Sequence, residues 1–155
     1  MKRLILLLGA TVLFAGCDSL APLPSLSERY SAVPPQTKVV EADYRTTYYA
    51  AQVAAKKIDF VLTKSAQAQG IINARSGLHS DDAFQEVRQF TFEIRLRDID
   101  GKHTEVAALL REQAEGDLRS GASNQALRTH GLYDAYFAAL DQALREGVAV
   151  PEPGR

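Results

Sequence analysis

The chain has 155 residues, 46% of them hydrophobic and 24% charged, with 18 Lys and Arg against 19 Asp and Glu, one Cys and no Trp. That length suits one domain with its own core, and the apolar content is too low for a multi-pass membrane protein. A formal charge of −1 excludes the cationic surplus with which proteins neutralise nucleic-acid phosphates, and a single Cys excludes an internal disulfide or a cysteine cage for zinc or iron–sulfur.

Residues 1–16 open with Lys2-Arg3, continue with an apolar run over residues 4–15, and end in small residues before Cys17. An apolar run of about a dozen residues is too short for a hydrocarbon core that needs roughly 20 helical residues, so it predicts a secretory leader and not a spanning helix. The run Leu13-Phe14-Ala15-Gly16-Cys17 resembles the lipobox of bacterial lipoproteins, with Phe14 where that family most often has Leu. The resemblance implies a diacylglycerol on the Cys17 thiol, cleavage before Cys17 and acylation of the freed amine. The only Cys of the chain thus stands at the one place where lipidation needs it. With about 0.8 kcal/mol per buried CH₂, two or three acyl chains make an anchor that a single chain does not. Asp18, directly after the cysteine, resembles the enteric sorting signal for retention in the inner membrane. It points to the periplasmic face of that membrane, with the outer membrane as the alternative. Losing Lys2 and Arg3 with the leader makes the formal charge more negative by two.

All six prolines lie near the ends, at 22, 24, 34, 35, 151 and 153. Because Pro breaks helices and central strands, this spacing predicts a tether over residues 17–41, a folded body over 42–147 and a disordered tail over 148–155. A tether of about 24 residues reaches roughly 80 Å fully extended and about 25–30 Å on average as a flexible coil.

In the body, Tyr44, Tyr48, Ala51, Ala55, Ile58 and Leu62 recur at spacings of three and four, predicting an amphipathic helix over 42–64. Residues 66–75 alternate Ala66, Ala68, Gly70, Ile72 and Ala74 with larger or polar neighbours, predicting a strand with small inward residues. The clearest strand covers 87–99, with Phe90, Phe92, Ile94 and Leu96 inward and Thr91, Glu93, Arg95 and Arg97 outward. Asp100-Gly101 suits a two-residue hairpin turn, which makes residues 104–112 the returning strand although that run also has good helix propensity. Residues 116–123 read as loop. A second helix, starting at Asn124 or Thr129 and ending at Arg145, carries the stripe Leu132, Tyr133, Tyr136, Phe137, Leu140 and Leu144, with Gly147 past its end. The expected fold is α+β: a helix, a three-stranded antiparallel meander and a second helix, both helices on one face of the sheet. That layout gathers Tyr44, Tyr48, Tyr49, Tyr133 and Tyr136 toward one end of the layer.

His79-Ser80-Asp81-Asp82 has the residue types of a hydrolytic triad, but loop neighbours lack the geometry of a base held between nucleophile and carboxylate, and a turn with a cap explains them better. His79, His103 and His130 are scattered without a ligand spacing, and no glycine-rich phosphate loop follows a strand, so neither a metal nor a cofactor is expected. Two groups suit a partner-binding surface. The tyrosines Tyr44, Tyr48, Tyr133 and Tyr136 combine a large ring with a polar tip, although the same property suits the rim of a core. The outward residues Arg95 and Arg97, with Arg75 and Arg88 nearby, suit an acidic partner or lipid headgroups. A sheet edge offers a third route, by strand addition. These features predict a membrane-anchored, non-enzymatic accessory or scaffold protein of the bacterial envelope that binds a partner protein and no nucleic acid. The alternative is a tethered small-molecule or lipid-binding module with its ligand above the small residues of the first strand.

Overall fold

Strict alternation sets the centre of the fold. The computed structural model describes residues 33–78, 87–115 and 122–151. Strand β4 (Val87–Asp98) places Phe92, Ile94 and Leu96 in the core and Glu93, Arg95 and Arg97 on the opposite face. It pairs along its whole length with β5 (Thr104–Glu115), whose Val106, Ala108 and Leu110 stand on the same buried face. The β4–β5 turn departs from the expected two-residue form. The Ile99 N–H donates to the His103 carbonyl at 2.9 Å, which leaves residues 100–102 as the loop, and only Gly101 there has a positive φ, of 77°. The loop amides are satisfied locally: Asp98 Oδ1 accepts from Gly101 at 2.8 Å, and Asp100 Oδ1 accepts from Lys102 and His103 at 2.9 and 2.7 Å.

The sheet has six strands, not three, and every pairing is antiparallel. On one side of β4 lie β3 (Ile71–Arg75) and then β2 (Val61–Ala66). On the other side, β5 is flanked by two strands end to end: β1 (Gln36–Val40) pairs with residues 104–108, and β6 (Ala122–Leu127) pairs with residues 110–115. Strand β1 lies in the stretch expected to be tether; Pro34 and Pro35 precede its first residue, where no ladder hydrogen bond is lost. Strand β6 takes the place of the expected loop end and of a helix start at Asn124. The expected strand over 66–75 begins only at Ile71, because Gln67–Gln69 form a 3₁₀ turn closed by Gly70 at φ 65°.

Helix α1 (Tyr44–Lys57) starts at Asp43, whose Oδ1 accepts from the Thr46 N–H at 3.0 Å. It stops seven residues before the expected end. Asp59 adopts a left-handed φ of 62°, and the Phe60 N–H turns back to the Ala55 carbonyl at 3.0 Å, sending Phe60 into the core and the chain into β2. Helix α2 (Gly131–Glu146) is capped by the His130 side chain, which accepts from the Leu132 N–H at 3.2 Å, and ends at Gly147 with φ 74°. Val148, in the expected tail, packs against the core.

Both helices bury their apolar stripes on one face of the sheet. The buried face of α1 is mostly small, with Ala50, Ala51, Ala54 and Ala55 fully covered, so its backbone comes close to its neighbours. Phe92 is the hub: its ring lies 5.1 Å from that of Phe60, 5.8 Å from Tyr133 and 5.3 Å from Tyr136. The C-terminal turns of the helices meet in a 2.6 Å ion pair between Lys57 and Glu146, and Lys38 of β1 reaches Asp141 of α2 at 2.5 Å.

Candidate functional site

The sheet has a second face that no described element covers. Register carries the odd-numbered residues of β3, β4 and β5 to this side: Ile71 stands opposite Arg95, Asn73 opposite Glu93, Arg75 opposite Thr91, and in turn Glu93 opposite Leu109 and Thr91 opposite Arg111. Lys64 joins them from β2, opposite Asn73, and Thr37 and Val39 from β1, opposite Ala107 and Glu105. Lys64, Arg75, Arg95, Arg97 and Arg111 thus share a face with the acids Glu93 and Glu105, and Glu115 takes the same register parity at the end of β5. Glu93 accepts from Arg95 at 2.7 Å and Glu105 pairs with Arg97 at 3.1 Å. Arg75, Arg111 and Lys64 have no ion pair among the described residues.

Between the arginines the surface dips. Pro35, Glu93, Arg95, Ala107, Leu109 and Arg111 line a depression of about 300 Å³, with Ala107 and Leu109 as its apolar floor and two guanidinium groups on its wall. Two of the exposed large hydrophobics belong to the same side by register. Val39 (54% exposed) and Val61 (64%) stand on the outer strands of this face, and Ile99 (50%) continues the outward alternation of β4 into the hairpin turn. Leu78 (71%) borders a second depression of about 290 Å³ with Val87, Gln89 and Gln113, which follow the same alternation at the far end of the β4–β5 ladder. The Oδ1 of Asn73 is buried without a donor beneath this surface.

The structure divides the residues singled out in the sequence. Arg95 and Arg97 stand on the open face with Arg75, but Arg88 does not; it points to the helix side and pairs with Glu112 at 3.3 Å. The tyrosines form no common surface. Tyr48, Tyr133 and Tyr136 are fully buried, so in this fold they present nothing to a partner, and they fall into two groups. Tyr44, Tyr48 and Tyr49 anchor α1 to the end of β2 and the turn after it: Tyr44 donates to the Gln67 carbonyl, Tyr48 shares a 2.7 Å hydrogen bond with Ser65, and Tyr49 reaches Gln67 Oε1 at 3.3 Å. Burial, aided by neighbouring Tyr48, raises the Tyr44 hydroxyl above its ordinary pKa. Tyr133 fills the junction of β1 and β6 beside β5, its hydroxyl accepting from the Leu110 N–H at 2.9 Å and donating to the Leu127 carbonyl at 2.8 Å. Tyr136 has no partner for its hydroxyl, and burial pushes its pKa far upward.

The small residues of 66–75 leave no inward row either. Ala68 is exposed, and Gly70 is small because β4 needs the room: a Cβ there would lie 2.4 Å from the Leu96 carbonyl oxygen. The Leu96 N–H donates to Gly70 at 2.8 Å, so backbone meets backbone at this point. Cys17, Asp18 and the His79-Ser80-Asp81-Asp82 run lie outside the described residues. Among the described residues no group of three or more His, Cys, Asp and Glu is placed to hold a metal ion, and no helix is long and apolar enough to cross a membrane.

Lys64, Leu109 and Arg111 were not singled out from sequence. For Leu109 and the adjoining Arg111 the signal is the run Val106 to Leu110, apolar at both parities, where a strand with one wet face would alternate; Lys64 carries no such signal. No protein-family model and no curated protein sequence matches this chain. Among solved structures, it is similar to a TBP-like protein from Parabacteroides distasonis ATCC 8503, at 11% identity and a TM-score of 0.41 over 73% of this chain and 93% of that one. A DUF4468 family protein from Bacteroides ovatus ATCC 8483 is similar at 13% identity and a TM-score of 0.33, over 83% of this chain and 98% of the other. With both scores below 0.5, neither likeness carries a functional argument.

Proposed function

We propose that this chain is a lipid-anchored, non-enzymatic accessory protein of the bacterial cell envelope, whose folded body binds a partner protein through the open face of its sheet. The observation that carries the binding half is that face itself: six strands closed by helices on one side, and on the other a surface that no described element covers, with Val39, Val61 and Leu109 among arginines. Apolar residues mixed with Arg are the composition of protein interfaces. Strand addition is the weaker route, since β2 has a bulge between Leu62 and Lys64 and carries a Lys, both of which blunt an edge.

The anchor half rests on Cys17 and the residues before it. Labelling cells with a palmitate analogue, with Cys17→Ser as the control, tests it: label on the wild type alone is expected, and an unlabelled wild type overturns it. Asp18 directs the protein to the periplasmic face of the inner membrane in this reading. Sucrose-gradient fractionation should then show Asp18→Ser moving to the outer-membrane fraction, and an outer-membrane band for both forms contradicts the assignment.

A further inference from the structure

We infer that the partner presents an acidic segment with an apolar side chain that enters the depression between Arg95 and Arg111; this rests on the reading of the open face as a binding surface. Charge complementarity is the first argument. The chain as a whole is slightly anionic, yet its basic residues outnumber its acids on this face, and Arg75, Arg111 and Lys64 have no carboxylate of their own among the described residues. Guanidinium groups without an internal partner, beside apolar surface, select carboxylates that a partner supplies.

The second argument is shape. A depression of about 300 Å³ floored by Ala107 and Leu109 accepts one apolar side chain, and its walls put Arg95 and Arg111 beside whatever flanks that side chain. An anionic membrane would match the charge as well. It has no side chain to fill the depression, and the twist of a six-stranded sheet keeps its face from lying flat on a planar surface. The Glu93 carboxylate, which accepts from Arg95, leaves Arg111 as the cation on the wall without an internal partner.

The test uses the full-length lipidated chain in cells, with a photo-crosslinking residue placed singly at Thr37 or Thr91 on the open face, or at Lys56 on the exposed side of α1. The expected result is one protein adduct shared by Thr37 and Thr91 and missing at Lys56, with the crosslinked peptide of the partner rich in Asp and Glu. The pair Arg75→Glu and Arg111→Glu should lower that adduct by roughly tenfold. Charge-reversing the mapped acidic residues of the partner should restore it. Unchanged helical circular dichroism of the double variant shows that the loss is not unfolding. An adduct that survives the double variant overturns the acidic partner while leaving partner binding intact. Lipid adducts in place of protein overturn it in favour of the membrane, and no adduct at either open-face position overturns the partner-binding reading itself.

Discussion

On the helix-covered face of the sheet, Phe92, Ile94, Val106, Ala108 and Leu110 have no exposed surface, whereas Glu93, Arg95, Ala107, Leu109 and Arg111, one residue away on the same strands, all keep contact with water. The two faces share their backbone hydrogen bonds and differ only in what covers them. Stability therefore concentrates on one parity of β4 and β5, and the other parity is free to carry charge. Over residues 91–96 of β4 and 104–111 of β5, a substitution should matter greatly or little according to whether its number is even or odd.

The largest effect is expected at the hub. Phe92→Ala removes the ring that meets Phe60, Tyr133 and Tyr136, and should cost about 3–5 kcal/mol in urea denaturation, whereas Thr91→Ala on the open face should stay within about 0.5 kcal/mol. Gly70→Ala comes next. Its Cβ would strike the Leu96 carbonyl at 2.4 Å from a backbone with positive φ, so a loss of roughly 1–3 kcal/mol is expected although no side chain is removed.

Two tyrosines of α2 sharpen the point within the covered face. Tyr133→Phe leaves the buried Leu110 N–H without an acceptor and should cost about 1–3 kcal/mol, while Tyr136→Phe removes a hydroxyl that has no partner and should be neutral or slightly stabilising. Equal losses in the two variants would contradict the hydrogen bonding described for Tyr133. The smallest effect belongs to Asp43. Its hydrogen bonds, first from the Thr46 side chain and then from the Thr46 amide, hold the carboxyl below the usual carboxylate range. A lowered folded-state pKa stabilises the protein above the unfolded value, and that stabilisation is lost as pH falls through the folded value. Asp43→Ala should cost about 1 kcal/mol at neutral pH, and the gap to wild type should close in acid.

How much of this was legible in the sequence depended on residue spacing. The outward and inward sets of β4 follow directly from a period of two over a dozen residues, and the α2 stripe from a period of 3.6. The spacing predicts too long a helix α1 because Ile58 and Leu62 continue it past Asp59, where one left-handed residue redirects the chain. Strands β1 and β6 are only five and six residues long, and neighbouring signals hide both: Pro34-Pro35, which reads as tether, in one case, and in the other the loop reading of 116–123 with a helix start at Asn124. The tyrosines were ambiguous from sequence because a ring with a polar tip fits a surface or a core edge. Only the positions of Ser65, Gln67 and Leu127 show that most of the hydroxyls are answered from within. The open face required register, since Lys64, Arg75, Arg95 and Arg111 come from four different strands.

The division of labour between the faces is tested most directly by the urea midpoint of the chain carrying Arg75→Glu and Arg111→Glu together. The account predicts an unfolding free energy, taken from that midpoint, within about 0.5 kcal/mol of wild type, with the open-face crosslink lowered roughly tenfold. A destabilisation of several kcal/mol, comparable to Phe92→Ala, would show that these arginines hold the fold together and would contradict it.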